Sequence, residues 1–425
     1  MEIDKNFGNL VEIEKGKEIY EGILLPGPEQ GIVLLKMENG YNIGFNKKEI
    51  LKMKLLKKIE SKEKDFEVKN SKDKPNIAMV ILGGTISARL NPGKGGVDFV
   101  ESPKDLFKYH PELFEKVNVT KVEVPFMKGS ESLNSKDWQK VAKIVSELVN
   151  DSNISGVIVT QGTDTLHYTS SALSFFLRDL GKPVVLTFSQ RSIDRGSSDA
   201  TLNLICSAKV ATANVSGVFV VGHANTEDEF CFCIQGTKTR KMHSSRRDAF
   251  KSINSKPIFK VYPEKLEKIS DYKLRDNKKK CFVDSKFEEK VALLKFYPGQ
   301  DPEILDYYLE KGYKGIVIEM LGLGHVASSD SNKSWIKKLR EVQNKGMIIC
   351  AASQTIYGRL DPLVYVNGRE ALETGVIYLE DLLSETALVK LGWVLGHNEW
   401  SKDKDIIKKK MLFNFSRELN NRLLE

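Results

Sequence analysis

The chain has 425 residues, too many for one ordinary core, so two or three domains are expected. With 41% hydrophobic and 29% charged residues, and no run of about 18 apolar ones, the composition is that of a soluble globular protein and excludes a helical membrane span. The net charge of +8 permits RNA binding without requiring it, because solvated lysine faces are commoner.

The start, Met1-Glu2-Ile3-Asp4-Lys5, lacks the apolar stretch of a signal peptide. Five cysteines form no regular framework, and Cys231-Phe232-Cys233 is too tight for an ordinary metal hook. Buried thiols in a reducing cytoplasm are the expectation.

Residues 1–60 read as a small β module. Strand-like Gly16–Leu25 ends at Pro26-Gly27-Pro28, Gly31–Met37 follows, and Asn39-Gly40 is a hairpin signal before Tyr41–Phe45. Short strands and tight turns suggest an SH3-like or Tudor-like barrel. Lys47, Lys48, Lys52, Lys54, Lys57 and Lys58 gather after it, as a solvated tail or as a surface for RNA phosphates. Residues 61–75 mix charges without apolar periodicity and read as a linker.

From Asn76 to Tyr262 strand-like and helical patterns alternate, which predicts an α/β domain with a mostly parallel sheet. Ile77–Leu82 is a buried-type strand opening into Gly83-Gly84-Thr85-Ile86. Val122–Phe126 is a short strand, and Gly129-Ser130-Glu131-Ser132 a polar loop. A helix begins at Ser135, with Asn134 or Ser135 as its cap. Val157–Thr160 is the central strand, and Gln161-Gly162-Thr163-Asp164-Thr165 is its polar turn. Leu166, Leu173, Phe176, Leu177 and Leu180 line the next helix, stopped by Gly181 and Pro183. Pro183–Phe188 leads to a third polar turn, 189–199. Val218–Gly222 is a fourth strand, and the stretch from Gly236 to Arg247 is strongly basic. Residues 263–290 read as a second linker. Residues 291–425 are α/β again, with strands at Val291–Leu294, Gly315–Ile318 and Gly346–Cys350.

Two threonine-bearing turns at two strand ends carry the chemistry. Ligands of open α/β sheets bind at the carboxyl ends of strands. A threonine hydroxyl is a poor nucleophile until a base or relay activates it. Thr163 beside Asp164 has such a neighbour, although an Asp at a helix start often serves only as a cap. A lysine reaching Asp164 would complete a Thr-Asp-Lys relay, and the basic loop offers Lys238 and Lys241, either of which could equally be a surface lysine. Amide hydrolysis suits these parts. One hydroxyl attacks the carbonyl, backbone N–H groups of the glycine turns hold the oxyanion, and ammonia leaves.

Leu82-Gly83-Gly84-Thr85-Ile86 and Thr160-Gln161-Gly162-Thr163-Asp164-Thr165-Leu166 resemble the two threonine signatures of the L-asparaginase/glutaminase family. Gly129–Leu133 through Trp138 is similar to that family's substrate loop. Over the whole chain, including the front module, 190–195, 240–250, 354–359 and 393–397, the sequence resembles the D-type subunits of archaeal Glu-tRNA(Gln) amidotransferases. The resemblance implies a two-domain asparaginase-like α/β fold behind the small barrel. It implies glutamine hydrolysis, with ammonia passed to a transamidase subunit that amidates Glu on tRNA(Gln). Thr85 is then the nucleophile, although the threonines could exchange roles. Thr163, Asp164 and Lys241 form the relay, Lys241 being favoured over Lys238 by counting back from Asp248-Ala249-Phe250. Ser130, Glu131 and Asp164 hold the α-carboxylate and α-amine. No metal or cofactor is implied in this chain, ATP and Mg being used by the partner subunit. A homodimer within a heterotetramer is implied, reaching Glu-tRNA(Gln) through the complex.

The sequence departs from the family's pattern twice. The loop after Thr85, Leu90–Phe99, lacks the usual activating tyrosine, the nearest being Tyr109, and Leu82 stands where Gly or Thr is usual. Other classes fit less well. A stand-alone cytosolic asparaginase would leave the front module surplus. A dinucleotide site needs G-x-G-x-x-G, which Gly83-Gly84-Thr85-Ile86-Ser87-Ala88 lacks, and no G-x-S-x-G elbow is present. A non-catalytic RNA-binding scaffold would not need both threonines.

Overall fold

The computed structural model describes residues 3–27, 30–37, 42–58, 71–91, 96–99, 110–193 and 197–422. The Asn39-Gly40 turn, Tyr109 and most of the first linker lie outside the described residues. Among the described residues no helix is long and apolar enough to cross a membrane.

The front module is a five-stranded antiparallel sheet built on Leu10–Lys15, which pairs with Glu18–Pro26 on one side and Lys52–Lys57 on the other. Alternate residues of each strand face one side of a sheet. Accordingly Val11, Ile13, Leu24, Val33, Leu35 and Phe45 form a core of their own. Lys52, Lys54 and Lys57, read from sequence as following the module, belong to its edge strand. Lys47 is paired with Asp4 at 2.6 Å. A run of lysines broken by Met53, Leu55 and Leu56 looks like a tail because its partner strand is about 40 residues away in sequence.

The next unit is an eight-stranded sheet. In spatial order its strands are Leu266–Lys268, Phe259–Val261, Cys231–Gln235, Gly217–His223, Pro183–Thr187, Val157–Thr160, Asn76–Ile81 and Asn118–Glu123. The last five are parallel. The first three run antiparallel, because the short connections 224–230 and 262–265 can only make hairpins. The sheet is therefore mixed, with its larger part parallel as expected. Its central strands are apolar on both faces because both faces are covered. Ala78 and Val80 pack on one side with Val141, Val145 and Leu173. Ile77 and Met79 pack on the other with Leu204 and Ala208.

Two local expectations shift, and one is narrowed. The strand before the polar loop is Asn118–Glu123 and stops ahead of Val124. The helix after the central turn is Leu166–Phe176, and Leu177 and Arg178 leave it to pair with Val283 and Phe282, a tertiary pairing that overrides the apolar spacing. The helix Ser135–Asn150 is capped by Asn134, in a capping box with Asp137. The stretch 263–290, expected as a linker, instead gives the sheet its edge strand Leu266–Lys268 and pairs Phe282–Val283 with Leu177–Arg178, and it is tied down by Arg275 donating to the carbonyls of Ala211 and Ala213 and by Cys281 N–H donating to Asn150.

The last unit has a parallel sheet of Val291–Lys295, Gly315–Met320, Ile348–Ser353 and Ile377–Tyr378. Its helix Ser384–Leu395 lies against Leu166–Phe176 of the preceding unit. Phe175 stacks on Trp393, and Ser171 Oγ lies 2.9 Å from Thr386 Oγ1. Leu173, Phe176, Val317, Cys350 and Trp393 thus share one core across the two units. All five cysteines are buried free thiols.

Beneath this core lies an ion pair, Lys390 with Glu418 at 2.7 Å, both side chains wholly buried. Burial pushes the Lys390 pKa below the ordinary lysine value against the pull of Glu418. Removing one partner of such a pair strands the other charge. Glu418→Gln should therefore lower stability by about 3–5 kcal/mol in urea unfolding, whereas a loss under about 1 kcal/mol would mean that the Phe413 carbonyl, 2.7 Å from Lys390 Nζ, suffices.

Candidate active site

Asn76–Ile81 and Val157–Thr160 are parallel neighbours, so their ends arrive side by side. Leu82 N–H donates to the Thr160 carbonyl, and Leu82 itself is buried in the core, which explains an apolar residue at that place. The chain then turns through Gly83 and Gly84, with φ of +108° and +84°. A Cβ on Gly84 would stand 2.2 Å from Gly162 N. Only glycine allows the two turns to touch. Thr85 opens the short 3-10 turn Thr85–Ser87 directly beyond this contact.

The second turn is clamped from the other side. Ser130 is buried, its Oγ accepts the Asp164 N–H at 3.2 Å, and its carbonyl accepts Thr165 Oγ1 at 2.6 Å. A Cβ on Gly162 would meet Ser130 Oγ at 2.9 Å. The substrate-loop residues therefore sit against the Thr163 turn. Glu131 is exposed beside them. The cap position of the helix Leu166–Phe176 is Thr165 and not Asp164, and it makes no side-chain cap bond.

Lys241 Nζ lies 2.7 Å from Thr163 Oγ1 and 2.7 Å from Asp164 Oδ1, donating to both. The lysine side chain is 11% exposed and the aspartate 66%. Lys238, the other candidate, is turned away. It forms a 2.6 Å ion pair with Asp381, at 1% and 0% exposure, so it is neither a relay nor a surface lysine. Lys238 ends the 3-10 turn Gly236–Lys238 and Lys241 ends the strand Thr239–Lys241 that follows, so the two side chains leave different elements.

A cation beside a hydroxyl favours its deprotonated form. Thr163 is therefore the hydroxyl best placed to take up or pass on a proton, with Asp164 holding the amine. Burial pushes His167, in the first helical turn, down to about 3, and Tyr168 up to about 12, so both are neutral near pH 7. Among the described residues no group of His, Cys, Asp or Glu is arranged to hold a metal ion. Thr85, Thr163, Asp164, Lys241, Ser130 and Glu131 thus all belong to one edge of the sheet. Sequence reasoning missed the C-terminal residues that reach it. Arg240, next to Lys241, pairs with Glu385 at 3.0 Å. Nothing local marks Glu385, which reads as an ordinary acid in the first turn of a helix.

The paired sheets and twin threonine turns define a protein of the asparaginase class. The Asparaginase, N-terminal family matches residues 76–273, the Glutaminase/Asparaginase C-terminal domain matches 290–411, and the GatD N-terminal domain matches 5–56. The chain belongs to the GatD family, the D-type subunits of glutamyl-tRNA(Gln) amidotransferase. It is 43% identical to the GatD protein of Pyrococcus horikoshii over 97% of this chain and 95% of the relative. The Archaeoglobus fulgidus protein is 38% identical over 95% and 93%. A thermostable L-asparaginase from Thermococcus kodakarensis superposes with a TM-score of 0.72 and 28% identity, covering 82% of this chain and 100% of that one. L-asparaginase I of Vibrio cholerae shares the fold, with a TM-score of 0.70 and 24% identity, covering 82% and 99%.

The two lysines should separate cleanly. Lys241→Ala should leave the melting curve near wild type and lower kcat for amide hydrolysis by about 100-fold or more, as loss of a proton-transfer group does. Lys238→Ala should instead destabilise by about 3–5 kcal/mol, because it strands Asp381. The opposite ranking in paired melts and rate assays would exchange their roles.

Proposed function

We propose that this chain is the glutaminase subunit of a Glu-tRNA(Gln) amidotransferase, releasing ammonia for a transamidase partner. The observation that carries the chemistry is Lys241 Nζ bonded at 2.7 Å to both Thr163 and Asp164, beside the turn that presents Thr85. The likeness of the whole chain to the amidotransferase subunits, front module included, supports the partner reading over a stand-alone asparaginase.

In this reading Thr85 Oγ1 adds to the side-chain amide carbon of glutamine. Its proton moves through Thr163 and the Lys241–Asp164 pair to the departing nitrogen. The C–N bond breaks, ammonia leaves, and water then hydrolyses the Thr85 ester to glutamate. Backbone N–H groups of the glycine turns hold the oxyanion. The Ser130 hydroxyl accepts from Asp164 N–H, which leaves its own proton for the substrate α-carboxylate. The exposed carboxylates of Glu131 and Asp164 face the α-amine. The partner subunit uses ATP and Mg, and the complex brings Glu-tRNA(Gln) to it. A homodimer within a heterotetramer, working in the cytoplasm, fits this role.

Thr85→Val and Thr163→Val remove one hydroxyl each and keep the shape. Both should abolish ammonia release from glutamine with circular dichroism unchanged, and a near-normal rate in either removes that threonine from the mechanism. An ammonia donor that ran freely would waste glutamine. The wild-type chain alone should therefore be slow, and faster by at least ~10-fold, about 1.4 kcal/mol of barrier, with its transamidase subunit and Glu-tRNA(Gln). Full activity alone, with no response to either, would favour the stand-alone asparaginase.

A further inference from the structure

Lys241 ends the three-residue strand Thr239–Lys241, paired with Phe250–Ser252 in a two-stranded ribbon. A lone ribbon of this size is marginal by itself. Phe250, the partner of Lys241 in the ribbon, seats one strand in the core against Phe188. The C-terminal unit holds the other strand from its leading end. Asp381 grips Lys238 at 2.6 Å, Glu385 grips Arg240 at 3.0 Å, and Thr386 Oγ1 donates to the Thr237 carbonyl at 3.1 Å. Three residues within 381–386 therefore hold three within 237–240, immediately before the relay lysine. Asp381 is fixed in turn by Asn420, whose N–H and Nδ2 donate to its two oxygens at 3.0 and 2.7 Å. Lys238 ends the 3-10 turn just before the strand, Arg240 lies within the strand, and Lys241, the next residue, takes the face opposite Arg240. The grip thus aims Lys241 toward Thr163 without occupying its hydrogen bonds.

We propose that Asp381 and Glu385 are positioning residues for Lys241, so that docking of the C-terminal unit sets the distance between the relay amine and Thr163. This rests on the role given to Lys241 above. Neither carboxylate bonds to Thr163, Asp164 or Lys241, so each acts through Lys238 or Arg240.

Glu385→Gln in the full-length chain is the variant of choice, because Asp381→Asn would leave the Lys238 charge buried and endanger folding. Glu385→Gln should lower kcat for glutamine about 10-fold with KM within about twofold, since a displaced group loses transition-state rather than ground-state contact. Arg240→Gln should do the same, and the double variant should be no slower than either single one. Glu385→Asp, which keeps the charge, should recover part of the loss. A readout independent of turnover is a crystal structure of Glu385→Gln, in which Lys241 Nζ should stand beyond about 3.5 Å from Thr163 Oγ1. An unmoved Lys241, or kcat within about twofold of wild type while Lys241→Ala is inactive, overturns the proposal. A wild-type chain that hydrolyses no glutamine, alone or with its partner, would remove the reading of function instead, and the Lys241–Thr163 distance would still decide the positioning role.

Discussion

The contact between Gly84 and Gly162 is the constraint on which the site depends. Two parallel strands end one beside the other, and each must turn at once. A side chain on Gly84 would push them apart, since its Cβ would fall 2.2 Å from a backbone nitrogen, and one on Gly162 would press on Ser130. With glycine at both places the turns meet, and the residues that follow them, Thr85 and Thr163, are delivered to the same edge. Positive φ at Gly83 and Gly84 serves the same end, because it lets the chain reverse within two residues.

Charge placement follows burial. At the mouth of the site Asp164 is largely exposed, so water screens its pairing with Lys241 and the pair stays free to rearrange. Deeper in, Lys238–Asp381 and Lys390–Glu418 are sealed from water. Such pairs add little net stability over an apolar filling, but breaking one is costly. Lys238–Asp381 is a registration point between the two α/β units, while Lys390–Glu418 ties the chain end to the helix Ser384–Leu395 within the last one. The shared core of Phe175, Phe176 and Trp393 supplies the adhesion, and the buried charges specify where it closes.

The front module stands apart in this scheme. Its sheet has its own core, and its lysines are spread over an edge strand and the turn before it. An edge strand with lysines at every second or third position resists pairing with other chains. The exposed Leu51 and Leu55 lie among those lysines, so the edge carries apolar contacts as well as charge.

Much of this was legible in the chain itself. Buried strands announce themselves as apolar runs, so Ile77–Ile81 and Val157–Thr160 could be placed, and so could the polar turns that end them. The cap of the helix at Ser135 could be placed too, because Asn134 and Asp137 act within one turn. Thr85, Thr163 and Asp164 were visible for the same reason, being fixed by the strands just before them. Choosing Lys241 over Lys238 needed the family resemblance, since two lysines three residues apart in a basic loop have no local difference. Only the tertiary structure distinguishes them, by burying one against Asp381 and turning the other to Thr163. The early end of the helix at Phe176 and the reach of Glu385 to Arg240 were likewise decided by partners distant in sequence. Local pattern reports what a residue prefers, while pairing energy across the fold settles which partner it meets.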